Sequence, residues 1–328
     1  MKLPINFGNK LFFRVVLPGA ILTAALARAS QAVLWAYGLK ISMFYAFPLE
    51  TLLFGWLFLF LDSPIYMLLE GRRFWPTRLV NFGRRLERAR LLSLHRTMRR
   101  YDSGRRTVTL DAKQRVEADR IYLEAAVKIS GFPLDRTTSM PRVYWPTRLG
   151  NLIAAYEQYP RLKYGLDAVF YWPRLWVTID KDLREEIDNQ QALADGLVYV
   201  LVALILSAVI SIIYSVIDFR YEENILAYQL SYKLDLASAI FCIIIGFILY
   251  RASLYSHAQF GELFKSIFDQ HRDLLKLDEV IELVGNITAD PKLIARIFLI
   301  RNIAAWRFLR WHLVRFPDEA KNRRVRLP

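Results

Sequence analysis

Four long apolar runs, arranged as two pairs, dominate the pattern of this chain. The first pair covers about residues 15–37 and 41–61, and the second covers about 196–217 and 236–255. The third run has no charged residue, and an α-helix of that length crosses a hydrocarbon core of about 30 Å. No segment shows a sustained alternation of apolar and polar residues. The pattern therefore predicts an all-α protein with four transmembrane helices in two hairpins.

The runs divide the chain into four parts. Residues 1–66 form the first transmembrane hairpin, and 67–195 form a basic helical insertion. Residues 196–258 form the second hairpin, with an acidic outer loop at 218–235, and 259–328 form C-terminal helices with a basic tail. The insertion and the C-terminal helices are predicted to build a helical cytoplasmic domain. The pattern of the fourth run continues at helical spacing beyond the apolar stretch, which predicts one long helix that leaves the membrane.

The distribution of charge predicts how the chain is threaded. The 328 residues carry a net charge of +14, although 54% of them are hydrophobic. Twelve arginines and two acids lie between Arg72 and Arg106, whereas the loop at 218–235 has a balance of −2. Because cytoplasmic segments are enriched in Lys and Arg, the arginine block and both termini are predicted to be cytoplasmic. The expected location is a bacterial inner membrane.

The N-terminus also fits a second interpretation. Lys2, Lys10 and Arg14 precede an apolar run that contains small residues, as in a cleaved signal peptide. Cleavage would leave three spans, with the new N-terminus outside. Apolar sequence continues beyond these small residues, which favours an uncleaved first span.

Ionisable residues within the first pair of runs are the strongest functional signal. Arg28 and Glu50 lie deep in the two runs, where a charge is costly unless it faces protein or water. We expect them to pair, either lining a pore or gate or locking the hairpin as a structural ion pair. Asp62 is expected near the headgroups at the inner end of the second run.

The arginine block directly follows a predicted span. Anionic lipid of the inner leaflet is the expected partner of seven of its arginines, Arg72, Arg73, Arg78, Arg84, Arg85, Arg99 and Arg100. Interleaved aromatic residues leave nucleic-acid binding as a less favoured alternative. A cytoplasmic protein partner is a further possibility.

An aromatic–Trp–Pro sequence occurs three times, around Trp75, Trp145 and Trp172. Proline suits the first turn of a helix, so each copy predicts a helix start. The tryptophans either lie at the membrane interface or pack inside a helical domain.

The sequence shows no pattern for catalysis or for a bound cofactor. No two histidines lie at helical metal-ligand spacing, and no phosphate-binding loop or nucleophile motif occurs. We expect no catalytic residue, metal or cofactor, with an intramembrane reaction as the only enzymatic alternative. The single cysteine, Cys242, excludes a disulfide within the chain and is expected to pack as a small apolar residue.

Three stretches carry a resemblance to a known family. They are Tyr66–Leu79, Trp145–Asn151 and Tyr164–Trp176, the last reading YGLDAVFYWPRLW. With these motifs the chain resembles a family of bacterial multipass membrane proteins that has no assigned activity. The resemblance implies the fold and no mechanism. The span order, with a large helical cytoplasmic part, is also similar in outline to bestrophin-type anion channels.

Two functions are therefore expected. The first is an oligomeric ion channel or membrane-perturbing effector, gated through its cytoplasmic domain. A homo-oligomer would hide Arg28 and Glu50 at subunit interfaces. The second is a membrane-anchored scaffold that recruits a protein or nucleic acid through its arginine-rich cytoplasmic face.

Overall fold

The computed structural model describes residues 10–38, 41–106, 111–135, 138–164, 166–220 and 226–275. Within these ranges the chain forms helices and no strand, apart from one isolated bridge between Leu134 and Pro141. The predicted all-α class is confirmed for this part of the chain. The C-terminal segment beyond residue 275, predicted to hold further cytoplasmic helices, lies outside the described residues.

Nine α-helices follow one another along the described chain. A π-helical turn, Phe12–Val16, leads directly into the first of them, and a 3₁₀ turn, Arg272–Leu275, follows the last. The helices are α1 (Leu17–Ala36), α2 (Met43–Phe60), α3 (Asp62–Leu69), α4 (Thr77–Arg106), α5 (Ala112–Ser130), α6 (Arg148–Tyr164), α7 (Ala168–Thr178), α8 (Lys181–Arg220) and α9 (Leu226–His271).

Three helical segments are long and apolar enough to cross a membrane: Phe12–Ala36, Lys181–Asp218 and Tyr232–Leu275. The second predicted run is different, because it forms the pair Phe44–Phe60 and Asp62–Leu69, bent by 64°. The described chain thus has three candidate spans, or four if the bent pair is one span. A membrane-embedded protein fits these helices, while the fourth span and the cytoplasmic domain stay predictions.

The helices of the second pair are longer than their apolar runs. α8 begins at Lys181, well before the apolar residues, and α9 continues without a break to His271, as the sequence pattern predicts. The segment 218–235 was expected to be a loop, but α8 reaches Arg220 and α9 begins at Leu226. Most of this segment is therefore helical, and its residues Asp218 and Asp235 pair with Arg28 of α1.

The described chain divides into two compact units. The first comprises the residues up to Arg90 together with Tyr144–Leu152 and Glu185–Phe260. The second comprises Leu91–Val143, Ile153–Arg184 and the residues from Gly261 onward. All the candidate spanning segments belong wholly or mostly to the first unit.

Glycines allow α1 and α2 to pack with their backbones in contact. A Cβ atom placed on Gly19 would lie 2.0 Å from the carbonyl oxygen of Thr51, and one on Gly55 would lie 2.4 Å from that of Val15. Gly19 and Thr23 are four residues apart on α1, as are Thr51 and Gly55 on α2. Small residues at this spacing are typical of helices that pack closely in membranes.

An apolar core joins the first helix to the second pair. Val200, Leu204 and Ala208 of α8 pack against Ala239 and Cys242 of α9, with Leu17 and Ile21 of α1 alongside. Cys242 is buried in this core as a small packing residue, as predicted. The opposite faces of α8 and α9 expose large apolar side chains, including Ile213, Val216, Phe241 and Phe247. Such faces are typical of helices that contact lipid or another subunit.

A second copy of the aromatic–Trp–Pro sequence forms a compact turn before α6. The side chain of Asn151 accepts hydrogen bonds of 3.0 Å from the backbone N–H groups of Tyr144 and Trp145. Its amide group donates to the carbonyl oxygens of Trp145 and Thr147 at 2.9 Å. Gly71, with φ of +73°, and Gly83 both lie against Pro146, where a Cβ atom would collide with the ring.

The second unit has two apolar clusters of its own. Leu91, Ile129, Phe132 and Val143 form one cluster. The other is aromatic, since the ring centroid of Trp172 lies 4.6 Å from that of Phe264 and 6.2 Å from that of Phe268. Gly261 allows α9 to approach Tyr156 closely.

Candidate intramembrane polar site

A buried ion pair lies where α8 enters its apolar run. Asp195 is the residue immediately before that run, and its side chain is 11% exposed. Its Oδ2 atom lies 2.5 Å from a guanidinium nitrogen of Arg14, in the π-helical turn. Its Oδ1 atom accepts a 2.6 Å hydrogen bond from the hydroxyl of Tyr66 on α3. Both oxygens of a buried carboxylate are thus satisfied, which offsets part of the cost of removing the charge from water.

His257 of α9 extends this arrangement. Its Nε2 atom lies 3.0 Å from the hydroxyl oxygen of Tyr66, and its Nδ1 atom lies 2.7 Å from the carbonyl oxygen of Ser253. A carbonyl oxygen only accepts, so Nδ1 carries a proton, and Nε2 of the neutral ring needs a donor. The single hydroxyl proton of Tyr66 can serve either Asp195 or His257, not both. One additional proton on Asp195 or His257 would complete every hydrogen bond.

Asp62 and Tyr199 complete the group that we call the Asp195 cluster, which consists of Arg14, Asp62, Tyr66, Asp195, Tyr199 and His257. The hydroxyl of Tyr199 donates a 2.7 Å hydrogen bond to Asp62, at the first turn of α3. Asp62 was predicted to lie among lipid headgroups, and the structure shows it bonded to α8. The bend between α2 and α3 places Asp62 and Tyr66 on the same short helix, facing α8.

A second polar group lies at the other end of α8. We call it the Arg28 cluster, and it consists of Arg28, Tyr214, Asp218 and Asp235. The guanidinium of Arg28 lies 3.0 Å from Asp218 and 2.8 Å from Asp235, and it stacks over the ring of Tyr214 at 4.7 Å. The side chain of Asp218 is 5% exposed, whereas that of Arg28 is half exposed.

The prediction that Arg28 pairs with Glu50 is therefore wrong. Arg28 lies two turns before the end of α1, where the facing ends of α8 and α9 present two aspartates. Two carboxylates outcompete one because their combined charge attracts the guanidinium more strongly. Glu50 lies on α2, partly buried, and its Oε2 atom has no hydrogen-bond partner among the described residues.

The spacing of the two clusters matches the thickness of a bilayer. Asp195 and Asp218 are 23 residues apart on α8, and Asp235 and His257 are 22 residues apart on the antiparallel α9. At about 1.5 Å per residue, both intervals are roughly 33–35 Å, close to the hydrocarbon thickness of about 30 Å. The apolar core around Leu204 and Cys242 fills the space between the clusters.

The seven arginines predicted to contact lipid separate into two groups. Arg84 donates a 3.0 Å hydrogen bond to the carbonyl oxygen of Tyr144, and Arg72 pairs with Glu70 and stacks over Trp145 at 5.1 Å. These two arginines thus contact the protein itself. The other five are exposed: Arg73, Arg78, Arg85, Arg99 and Arg100. Arg99 and Arg100 also interact with other residues of the protein, and Arg72 is itself exposed.

The three tryptophans predicted to start helices occupy different environments. The indole N–H of Trp75 donates a 2.8 Å hydrogen bond to the carbonyl oxygen of Leu68. Trp145 stacks with Arg72, and Trp172 lies in the aromatic cluster of the second unit. Helices α4 and α6 begin directly after the first two copies, at Thr77 and Arg148, whereas Pro173 lies inside α7.

A charged pair accompanies the turn before α6. Burial raises the pKa of Glu87 on α4, while the guanidinium groups of Arg90 and Arg148 act in the opposite direction. Burial also lowers the pKa of Arg148. The Oε2 atom of Glu87 has no hydrogen-bond partner within the described part of the chain. Burial thus outweighs the two guanidinium groups in its effect on the pKa of Glu87.

Sequence reasoning missed Asp195, Tyr66 and His257. Each lies just outside an apolar run, where a polar residue is ordinary and gives no signal of burial. A usable signal did exist, because Arg14 precedes the first run and Asp195 precedes the third. Because the first and third runs are both predicted to start on the cytoplasmic side of the membrane, the opposite charges that precede them lie at the same depth and can form a pair.

Comparisons with known proteins add no identification. No protein-family model matches the chain, and no curated protein or solved structure matches it significantly. Among the described residues, no group of three or more His, Cys, Asp or Glu side chains is placed to hold a metal ion. The Asp195 cluster is therefore interpreted from its own geometry.

Proposed function

We propose that the protein is a homo-oligomeric ion-conducting protein of the bacterial inner membrane, with both termini in the cytoplasm. We place the Asp195 cluster on the conduction path and assign gating to the cytoplasmic domain. The supporting observation is a chain of ionisable side chains that connects all four predicted spans through Arg14, Tyr66, Asp195 and His257. Ionisable groups in membrane helices are costly and commonly mark ion pathways or proton relays.

The hydrogen bonds of the cluster support the proton as the conducted or coupling ion. A proton that arrives on Asp195 turns this carboxylate into a donor toward the Tyr66 oxygen. The hydroxyl proton of Tyr66 then passes to Nε2 of His257, 3.0 Å away, and the carboxyl proton replaces it. Asp195 ends as a carboxylate and His257 as an imidazolium, so one positive charge has moved from α8 to α9.

The packing of a single chain supports an assembly of several copies. Apolar side chains fill the space between the Asp195 and Arg28 clusters, and the close contact at Gly19 and Gly55 leaves no room between α1 and α2. The Asp195 cluster would then form one end of the path, and the hydrated remainder, up to the other membrane face, would lie between copies. The exposed apolar faces of α8 and α9 provide surfaces for such contacts.

Reconstitution tests this proposal. Purified protein in liposomes is expected to dissipate an imposed proton gradient faster than protein-free liposomes, and native mass spectrometry is expected to detect more than one chain per particle. Monomers that leave both proton and other ion gradients intact, at either polarity of membrane potential, would contradict it.

A second candidate function is a membrane-anchored scaffold. The exposed arginines of α4 favour this function. Arg96 is one of them, and no Asp or Glu lies within one helical turn of it. Replacement of Arg96 by Glu is expected to release a defined partner and leave ion flux unchanged if the scaffold is the function. Unchanged recovery of every co-purifying protein would count against this candidate.

A further inference from the structure

The outward face of the first half of α4 combines arginines with large apolar side chains. Arg78, Arg85 and Arg88 are exposed on it. Phe82 is 59% exposed and Leu86 is 55% exposed on the same face. Arg78, Phe82, Arg85 and Leu86 are spaced by four, three and one residues, which places them within roughly a third of the helix circumference at about 100° per residue. Soluble helices rarely expose such residues together.

No acidic side chain interrupts this face. Only Glu87 and Asp102 among the residues of α4 are acidic. Glu87 is on the opposite side, because it is largely buried beside Arg90 and Arg148. The outward face of residues 78–89 is therefore uniformly basic.

The same helix lies at the level where an apolar run ends. Arg148 pairs electrostatically with Glu87 of α4 and is also close enough to Tyr250 and Arg251 of α9 for their charges to affect its ionisation. Tyr250 and Arg251 lie in the last turns of the apolar run of α9, and Arg251 is the first charged residue after Asp235. Glu87 and Arg148 thus hold the middle of the basic face beside the last turns of the apolar run of α9.

We propose that this face, formed by Arg78, Phe82, Arg85, Leu86 and Arg88, docks on the anionic headgroups of the membrane in which the chain is embedded. Phe82 and Leu86 insert at the boundary between headgroups and acyl chains, and the three arginines bind lipid phosphates. A basic amphipathic helix in this position gains from both burial of apolar area and attraction to anionic lipid.

The apolar side chains favour lipid over nucleic acid as the occupant. Phosphates of either partner would satisfy the arginines, but a nucleic-acid backbone offers little to cover Leu86. The membrane is also close along the chain. Only a few residues separate α4 from α3, which belongs to the bent pair of apolar helices. This surface is independent of ion conduction, and so the docking can fail while the proposed function holds.

A depth measurement tests the proposal on the full-length protein. The Phe82→Cys variant is labelled at its new cysteine with an environment-sensitive fluorophore. The Val127→Cys variant, labelled in the same way, is the matched control, because Val127 on α5 is also an exposed apolar residue. Cys242 is buried, and labelling of the unsubstituted chain measures its background. The protein is reconstituted in phosphatidylcholine vesicles, with or without phosphatidylglycerol, and quenched by headgroup nitroxide lipid or by aqueous iodide.

We expect nitroxide lipid to quench the Phe82 probe and iodide to fail, with the contrast strongest in phosphatidylglycerol, while the Val127 probe shows the opposite. Replacing Arg78, Arg85 and Arg88 by Gln should lower the docking constant on the order of a hundredfold, and replacement by Lys should restore most of it. Iodide quenching of the Phe82 probe that equals the control in anionic vesicles would overturn the proposal. Shielding of this probe by added RNA, with no effect of phosphatidylglycerol, would also overturn it.

Discussion

The hydroxyl of Tyr66 on α3 donates a 2.6 Å hydrogen bond to Asp195, the last residue before the apolar run of α8. This bond connects the bent second hairpin helix to the first long span of the second pair. It places a phenol, which can both give and take a proton, between a carboxylate and an imidazole. The proposed proton transfer depends on this position of Tyr66.

Replacing Tyr66 by Phe removes the hydroxyl and keeps the ring. We expect proton flux into liposomes to fall at least about tenfold, because Asp195 and His257 lose the group that joins them, while the lost hydrogen bonds cost only about 1–3 kcal/mol of stability. Fluorescence of a pH-sensitive dye inside the liposomes measures the flux. Tyr45→Phe, at an exposed position on α2, is the control and should match the unsubstituted protein. Equal flux in all three proteins would remove Tyr66 from the pathway.

The contact between α1 and α2 predicts different tolerance at two glycines. Gly19→Ala places a methyl group 2.0 Å from the Thr51 carbonyl oxygen, so the helices must separate at a cost of about 1–3 kcal/mol or more. Gly246→Ala meets its nearest atom, on Leu201, at 3.5 Å, which is an ordinary contact. Thermal denaturation in detergent should show a clear loss for the first variant and little change for the second. Similar midpoints for the two variants would contradict the close packing.

The repeated aromatic–Trp–Pro sequence provides a matched pair of asparagines. Asn151 and Asn81 occupy the same position in the first two copies, but only Asn151 is buried and bonded to the turn before α6. Asn151→Ala should cost about 3 kcal/mol, because it leaves buried backbone groups unpaired. Asn81→Ala at its exposed position should stay within about 0.5 kcal/mol of the unsubstituted protein. Denaturation that affects both variants equally would show that the turn does not depend on this side chain.

Glu87 predicts a pH dependence of stability. Burial raises its pKa in the folded protein above the unfolded value of 4.5, so the folded state favours the protonated form. Its contribution is fully present below the unfolded pKa and is lost as the pH rises through the folded pKa. Glu87→Gln should therefore stabilise the protein at neutral pH and make no difference in acid.

Thermal midpoints of Glu87→Gln across a pH series check this sign. Glu117→Gln on the exposed face of α5 is the control, because the hydrogen bond from Arg120 lowers the pKa of Glu117 and reverses the expected direction. A stabilising effect of Glu87→Gln that is independent of pH would indicate improved packing and would rule out the predicted titration.

Length and hydropathy were sufficient to predict the helical class and the approximate position of the three candidate spans. Segments without charge over about 20 residues leave few alternatives to a helix, because backbone groups in a bilayer must bond within the segment. The break at Leu61 was less predictable, although Asp62 and Pro64 signal a helix start there. Beyond the 64° bend, Asp62 of α3 bonds to Tyr199 of α8, a contact that no local pattern encodes.

The polar site could be predicted only in part. Arg28 lies in a candidate membrane span, and its partners Asp218 and Asp235 lie about 190 and 207 residues further along the chain. Pairing at such separations depends on which helices become neighbours, which a single sequence does not specify. The same reason explains why the contacts of Tyr66 with Asp195 and His257 were not predicted.

The most direct test of the central claim compares two aspartates of α8. Asp195 and Asp188 each pair with a cation near the N-terminus, Arg14 and Lys10, at 2.5 Å, but Asp188 is 37% exposed and has no part in the cluster. The measurement is proton flux through liposomes that contain Asp195→Asn or Asp188→Asn protein, each checked for correct folding. The account predicts that Asp195→Asn loses flux and Asp188→Asn keeps it. Flux that is the same in both variants, with both folded, would contradict a conducting role for the Asp195 cluster.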